Sequence, residues 1–238
     1  MKQVKKIALT FLILLNLHAV KAQTVDEIVD KFIAAMGGKE KLMTLNSVRL
    51  EGTLNTPQGF DIPIVATVLN GKGARTDISI PGQSDGYRIF TPTKGWEYLP
   101  FQGMASAEES SEDLVQVQLS QLDLQSPLLN YAAKGHKVEL LGKEKVDGAE
   151  CFKMKITYKN GKSAVFFVDG TTYYRVKAVA NVPVNGRDME ITTTYSDFKK
   201  TPEGYVFPRT QHTPSGVISY TLIEINKPVD ENIFKPNN

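Results

Sequence analysis

The apolar positions of the chain follow a helical period near its start and a two-residue period over most of the rest. Val25, Ile28, Val29, Phe32, Ile33 and Met36 recur at three- and four-residue steps, which makes one apolar helix face. Thr24 precedes Glu27 by three positions, the spacing of a capping box that satisfies two orphan backbone N–H groups. Gly37-Gly38 ends the helix, because glycine takes the left-handed cap without steric cost. Lys39 to Leu45 predicts a further short helical turn.

The period then changes to two. Val48, Leu50 and Leu54 alternate with Arg49, Glu51 and Thr53. A second strand puts Ile62, Ile64, Ala66 and Val68 on one face, and a third carries Ala74, Thr76, Ile78 and Ile80. Asn70-Gly71 between them is a hairpin signal, since both turn residues need positive φ. Tyr87 to Phe90 and Trp96 to Phe101 predict two short strands. Gly103 to Glu112 is small and polar and reads as a loop. A helix is predicted from Ser110 or Ser111 to about Leu124, with Leu114, Val115, Leu119 and Leu122 as its stripe. A second is predicted from Ser126 as cap, through Pro127, to Gly135 as stop. Strand patterns resume at Lys137 and continue to Ile225, punctuated by Asp147-Gly148, Asn160-Gly161, Asp169-Gly170, Asn185-Gly186, Glu203-Gly204 and Ser215-Gly216. About ten or eleven strands joined by tight turns imply an antiparallel meander.

A sheet of that width must curl or close. Its alternation leaves one face to water, and the other must be covered. The predicted architecture is therefore mainly β. It is an incomplete, unclosed antiparallel barrel with the N-terminal helix and the mid-chain helices over its concave face. A sheet this wide encloses more volume than its own side chains fill, so an apolar pocket between sheet and helices is the expected site. The candidate lining residues are Leu50, Ile62, Ile64, Trp96, Tyr98, Leu122, Phe152, Met154 and Ile156. Trp96 and Tyr98 lead the set because their strand runs into the polar loop ahead of the mid-chain helices.

Composition adds a compartment. Three lysines in the first six residues precede the apolar run Ile7 to Leu17, and Val20-Lys21-Ala22 offers small or compact residues before a cut. This is the pattern of a cleaved secretory leader over residues 1–22, shorter than a membrane span of about 20 apolar residues. No cysteine follows the cut, so no lipid anchor is expected. The full chain carries 28 basic and 26 acidic residues. Removing Lys2, Lys5, Lys6 and Lys21 leaves 24 basic against 26 acidic, a net charge of −2. Nucleic-acid binding wants a basic face, and none is present. Of 238 residues, loss of 22 leaves 216, read as one β domain over residues 23–238. The single cysteine, Cys151, precludes an internal disulfide.

Catalytic patterns are missing. His136 and His212 lie in different hairpins, which suits no metal site, and His136, just after Gly135, is expected at the surface. There is no G-x-S-x-G elbow and no phosphate-binding glycine loop. Cys151 would need a basic neighbour to become a nucleophile, and Lys153 is its same-face neighbour. Glu108, Glu109 and Glu112 read as a solvated charge run at a helix start.

Several stretches resemble the periplasmic lipoprotein-carrier fold, the family of the outer-membrane lipoprotein-sorting proteins LolA and LolB. They are Val25 to Phe32, Met36 to Leu42, Ser47 to Leu54, Val138 to Gly148 with Cys151 to Met154, and Phe167-Val168-Asp169 leading into Tyr174 to Lys177. Tyr195 to Phe198, Gly204 to Pro208 and Pro228 to Phe234 complete the likeness. It implies an incomplete antiparallel barrel whose helices lid a hydrophobic cavity for acyl chains. The expectation is a periplasmic, monomeric, non-enzymatic carrier of a lipid, acyl chain or lipidated protein. It needs no cofactor or metal, and envelope membrane proteins are its possible partners. The alternative is a non-catalytic envelope accessory module with a filled core.

Overall fold

The computed structural model describes residues 23–184 and 187–237. The leader expected over residues 1–22 and the turn at Asn185-Gly186 lie outside the described residues.

The first helix, α1 (Val25–Ala35), begins as its sequence dictates. Thr24 Oγ1 accepts from the Glu27 N–H, and Glu27 Oε2 accepts from the Thr24 N–H at 3.0 Å. Its stripe of Ile28, Val29, Phe32 and Ile33 is buried. A short helix, α2 (Lys39–Met43), follows. Six strands come next: β1 (Ser47–Asn55), β2 (Asp61–Leu69), β3 (Gly73–Ile78), β4 (Gly86–Phe90), β5 (Gly95–Tyr98) and β6 (Glu108–Glu109). The mid-chain helix α3 (Glu112–Gln118) tightens into a 3-10 turn over Leu119–Leu122. Seven more strands complete the chain: β7 (Lys137–Val146), β8 (Ala149–Thr157), β9 (Ser163–Asp169), β10 (Arg175–Val184), β11 (Arg187–Lys200), β12 (Val206–Thr213) and β13 (Gly216–Ile225). A final 3-10 turn spans Glu231–Phe234.

All thirteen strands join one antiparallel sheet in the order β6-β5-β4-β3-β2-β1-β13-β12-β11-β10-β9-β8-β7. The first and last strands therefore meet in its middle, Val48 opposite Ile225. The two edges, β6 and β7, are consecutive in sequence, and the mid-chain helical stretch links them. The edges are protected by shortness in β6 and by alternating lysine and glutamate in β7.

The sheet is unclosed but strongly curled. α3 touches both β5 and β10, which stand eight strand spacings apart in the sheet order. In a flat sheet that separation would be about 38 Å. A seven-residue helix is only about 10 Å long. The sheet must therefore wrap around α3, which makes the face toward α1 and α3 the concave one.

Two expectations need correction. Ser126 to Gly135 is a run of turns rather than a helix. Ser126 (φ 80°) and Asn130 (φ 52°) both sit in the left-handed region, which no α-helix tolerates. The segment is pinned by burial of Leu128 and Leu129 instead. Ser126 Oγ accepts from the Leu128 N–H at 3.2 Å, capping a turn where a helix start was expected. The sheet also has thirteen strands where about ten or eleven were expected: the alternating runs form twelve, and Glu108–Glu109 add one by pairing with Trp96 and Glu97 within a stretch whose polarity reads as loop.

Candidate ligand-binding site

Strand register assigns every sheet residue to a face. Val48, Leu50 and Leu54 of β1 stand opposite Val68, Ala66 and Ile62 of β2 on the concave side. On the other half, Phe152, Met154 and Ile156 of β8 stand opposite Val168, Phe166 and Ala164 of β9 on the same side. α1 lies over this second half. Its Ile28, Phe32 and Ile33 join Leu128, Leu129, Phe152, Met154, Ile156, Phe166 and Val168 in one packed cluster.

The predicted lining residues divide into three groups. Phe152, Met154 and Ile156 are only 4%, 1% and 0% exposed and lie inside the α1 cluster, with Leu50 packed at its margin. Ile62 and Ile64 share the concave face on β2, Ile64 buried and Ile62 half-buried. Leu122 is buried in the 3-10 turn after α3, where its carbonyl accepts from the Gly71 N–H. Trp96 and Tyr98 do not meet the others. They pair with Ile89 and Tyr87, and all four belong to a separate cluster on the convex face with Val229, Ile233 and Phe234. The C-terminal segment is thus a strap across the outside of β2 to β5.

Outside the α1 cluster, several apolar side chains of the concave face are not packed to full burial. Leu54, Ile62, Ile78, Ile191 and Ile218 point inward by register yet stay half-exposed. Tyrosines share this region. Tyr195 stands opposite Gln211, and Gln211 opposite Ile218, so all three face inward. Burial, with Tyr195 adding to it, pushes the Tyr220 phenol up to about 12. Burial also raises Tyr158, against the opposing pull of Ser120 and Arg175. Both tyrosines still keep accessible surface.

Arg175 reaches the concave face through a break in strand alternation. Val168 is its partner, but Phe167 partners Lys177, so a bulge falls at Val176. The bulge turns Arg175 to the concave face, while Lys177 stays on the convex one. Its guanidinium lies 4.7 Å from the Phe166 ring centre and 4.8 Å from that of Tyr195. Simple alternation would set Arg175 and Lys177 together in water, so no sequence signal exposed this site.

Two concavities lie elsewhere among the described residues. A crevice of about 240 Å³ lies between α1 and the Leu128–Asn130 turn, lined by Val29, Ile33, Leu128 and Leu129. A groove of about 700 Å³ runs on the convex face between the strap and β1 to β3. Its arginines are already paired, Arg49 with Glu224 at 3.1 Å and Arg75 with Asp77 at 2.7 Å.

Cys151 is fully buried, and desolvation pushes its thiol pKa up. Lys153 does not activate it, because its Nζ bonds Glu144 at 2.8 Å. His136 is half-buried rather than at the surface. Its Nδ1 accepts from the Lys159 N–H, its ring meets Tyr158 edge-on at 5.4 Å, and burial lowers its pKa. No group of three or more metal-ligating side chains occurs among the described residues. No described helix is long and apolar enough to cross a membrane.

Solved structures share this fold. A putative outer membrane lipoprotein-sorting protein domain from Vibrio parahaemolyticus is 16% identical, with a TM-score of 0.53, covering 87% of this chain and 94% of that one. A LolA superfamily protein from Nitrosomonas europaea is also 16% identical, with a TM-score of 0.55, covering 90% and 98%. The fold is that of a divergent LolA-like open barrel. No protein-family model and no curated protein matches the sequence.

Proposed function

We propose that the chain is a non-catalytic carrier or binding protein for a lipid, an acyl chain or a lipidated protein, held on the concave face beneath α3. The observation that carries this reading is the contrast between the two halves of that face. Under α1 the side chains are packed to near-zero exposure, while Leu54, Ile62, Ile78 and Ile218 point inward and stay accessible. Each methylene removed from water there is worth about 0.8 kcal/mol, so a fourteen-carbon chain offers roughly 10 kcal/mol before costs. Ordering the ligand and displacing the helical cover take back a good part, which suits a protein that must release its cargo. The lipoprotein-sorting fold of the Vibrio parahaemolyticus domain supports the same reading. In this reading residues 23–238 form one periplasmic, monomeric domain that exchanges cargo with envelope membrane proteins.

The test is organic extraction of the natively purified protein followed by mass spectrometry, paired with binding of a fluorescent fatty acid. A stoichiometric amphiphile, and loss of binding in Ile62→Glu, is the expected result. A protein that carries none and binds none would overturn the carrier and leave a scaffold with a filled core.

A further inference from the structure

Arg175 stands apart from the other arginines whose contacts are described. Arg49, Arg75 and Arg88 are ion-paired, and Arg209 donates to the Thr221 carbonyl. Arg175 has neither an ion pair nor a hydrogen bond from its guanidinium among the described residues. Phe166 and Tyr195 lie at its guanidinium, 4.7 and 4.8 Å from their ring centres. Aromatic contact of this kind fixes a guanidinium and strips water from its faces, while its five N–H donors stay in the plane.

The surroundings favour an anion, and no described residue supplies one. Tyr158 lies within the field of Arg175, as do Tyr195 and Asp123 within that of Tyr158. Burial keeps Tyr158 and Tyr220 neutral, so neither phenol offers a competing negative charge. Asp123 is already held by Lys134 Nζ at 2.6 Å. An unpaired cation on a partly dried surface is costly, and an incoming carboxylate or phosphate offsets that cost. The same concave face carries the accessible apolar residues Ile191 and Ile218 for a hydrocarbon tail.

We propose that Arg175 is the receptor for an acidic head group, so that the cargo is an anionic amphiphile bearing a carboxylate or phosphate monoester. This rests on the carrier reading and narrows it to one chemical class. The head group sits between sheet and α3 at Arg175, and the tail runs along the half-exposed isoleucines.

The experiment is calorimetric titration of the delipidated protein with oleate, oleyl phosphate and oleyl alcohol, which share one tail. Oleate or oleyl phosphate should bind roughly tenfold or more tightly than the alcohol, the worth of one charge-assisted contact. Comparison of the two acids tells carboxylate from phosphate recognition. Arg175→Met should erase that preference, bringing the acids to the affinity of the alcohol. Equal affinity of the wild-type protein for acid and alcohol would overturn the receptor, and this measurement needs no variant to fold. A preference surviving in Arg175→Met would overturn it as well. Failure of all three ligands to bind would instead remove the carrier reading beneath it.

Discussion

Tyr131 donates its phenolic proton to Asp26 Oδ1 at 2.7 Å, tying the mid-chain turns to the first helix across 105 residues of sequence. The two segments cover the same packed cluster, and this bond stands at their outer rim. The contact is exposed, so its worth is small, under about 1 kcal/mol. Its effect on local opening is easier to read. Tyr131→Phe should speed amide exchange over residues 126–135 and leave exchange in β8 and β9 unchanged. Unaltered exchange in the turns would show that burial of Leu128 and Leu129 alone pins them.

The same bond has a pH signature. The hydrogen bond to Asp26, with burial, raises the Tyr131 pKa. A raised phenol holds its proton more tightly in the folded state, so its contribution is complete below the unfolded value of about 10 and is lost as pH climbs through the native one. Exchange in the turns should accelerate above pH ~10 in the wild-type protein and lose that component in Tyr131→Phe.

Tyr220 should be among the last phenols to ionise. Desolvation pushes it to about 12, so its neutral form stabilises the fold below about pH 10, and that contribution disappears between about 10 and 12. Ultraviolet titration of the native protein should show a late tyrosinate step that Tyr220→Phe removes. A bound amphiphile that covers the phenol should shift the step later still.

The packed half of the concave face should resist truncation poorly. Ile156 is 0% exposed and lies in the α1 cluster. Ile156→Ala should lose about 2–5 kcal/mol, the transfer term plus the cavity left behind, measured by denaturant unfolding. Ile62→Ala, at a half-exposed site, should cost well under that and act mainly on fatty-acid affinity.

The strap should depend on a glycine. A Cβ at Gly73 would come within 2.5 to 2.8 Å of the Phe234 ring. Gly73→Ala should push that ring outward and loosen the C-terminal segment, seen as faster proteolysis within residues 227–237. Unchanged cleavage would mean that Val229 and Ile233 hold the strap without Phe234.

Much of this fold was legible because local chemistry set it. The Thr24–Glu27 capping box, the period-two strands and the turns at Asn70-Gly71, Asp147-Gly148 and Asn160-Gly161 each act within a few residues, and the structure repeats them. The pairing of β1 with β13 was not legible, because nothing local in Val48 names Ile225 as its partner. The site was less readable than the fold. Alternation puts Trp96 and Tyr98 on one side of β5 but cannot say which side is concave. Val229, Ile233 and Phe234 were the overlooked signal, an apolar triplet after the last strand that needed a surface to cover. Arg175 was hidden for a different reason: the bulge at Val176 reverses parity, and no residue type marks it. The predicted helix at Ser126 failed because Leu128 and Leu129 reach the core only with Ser126 and Asn130 in left-handed conformations.

The meeting of β1 and β13 at the centre of the sheet has a consequence for how the protein comes into being. During synthesis, β1 to β6 emerge first and can form hairpins, yet Ser47–Asn55 must wait with one bare flank until Gly216–Ile225 is made. That long-range closure is slow, and an unpaired flank invites foreign strands meanwhile. A newborn chain of this topology therefore carries a bare strand flank at the future centre of its sheet until the final strand arrives.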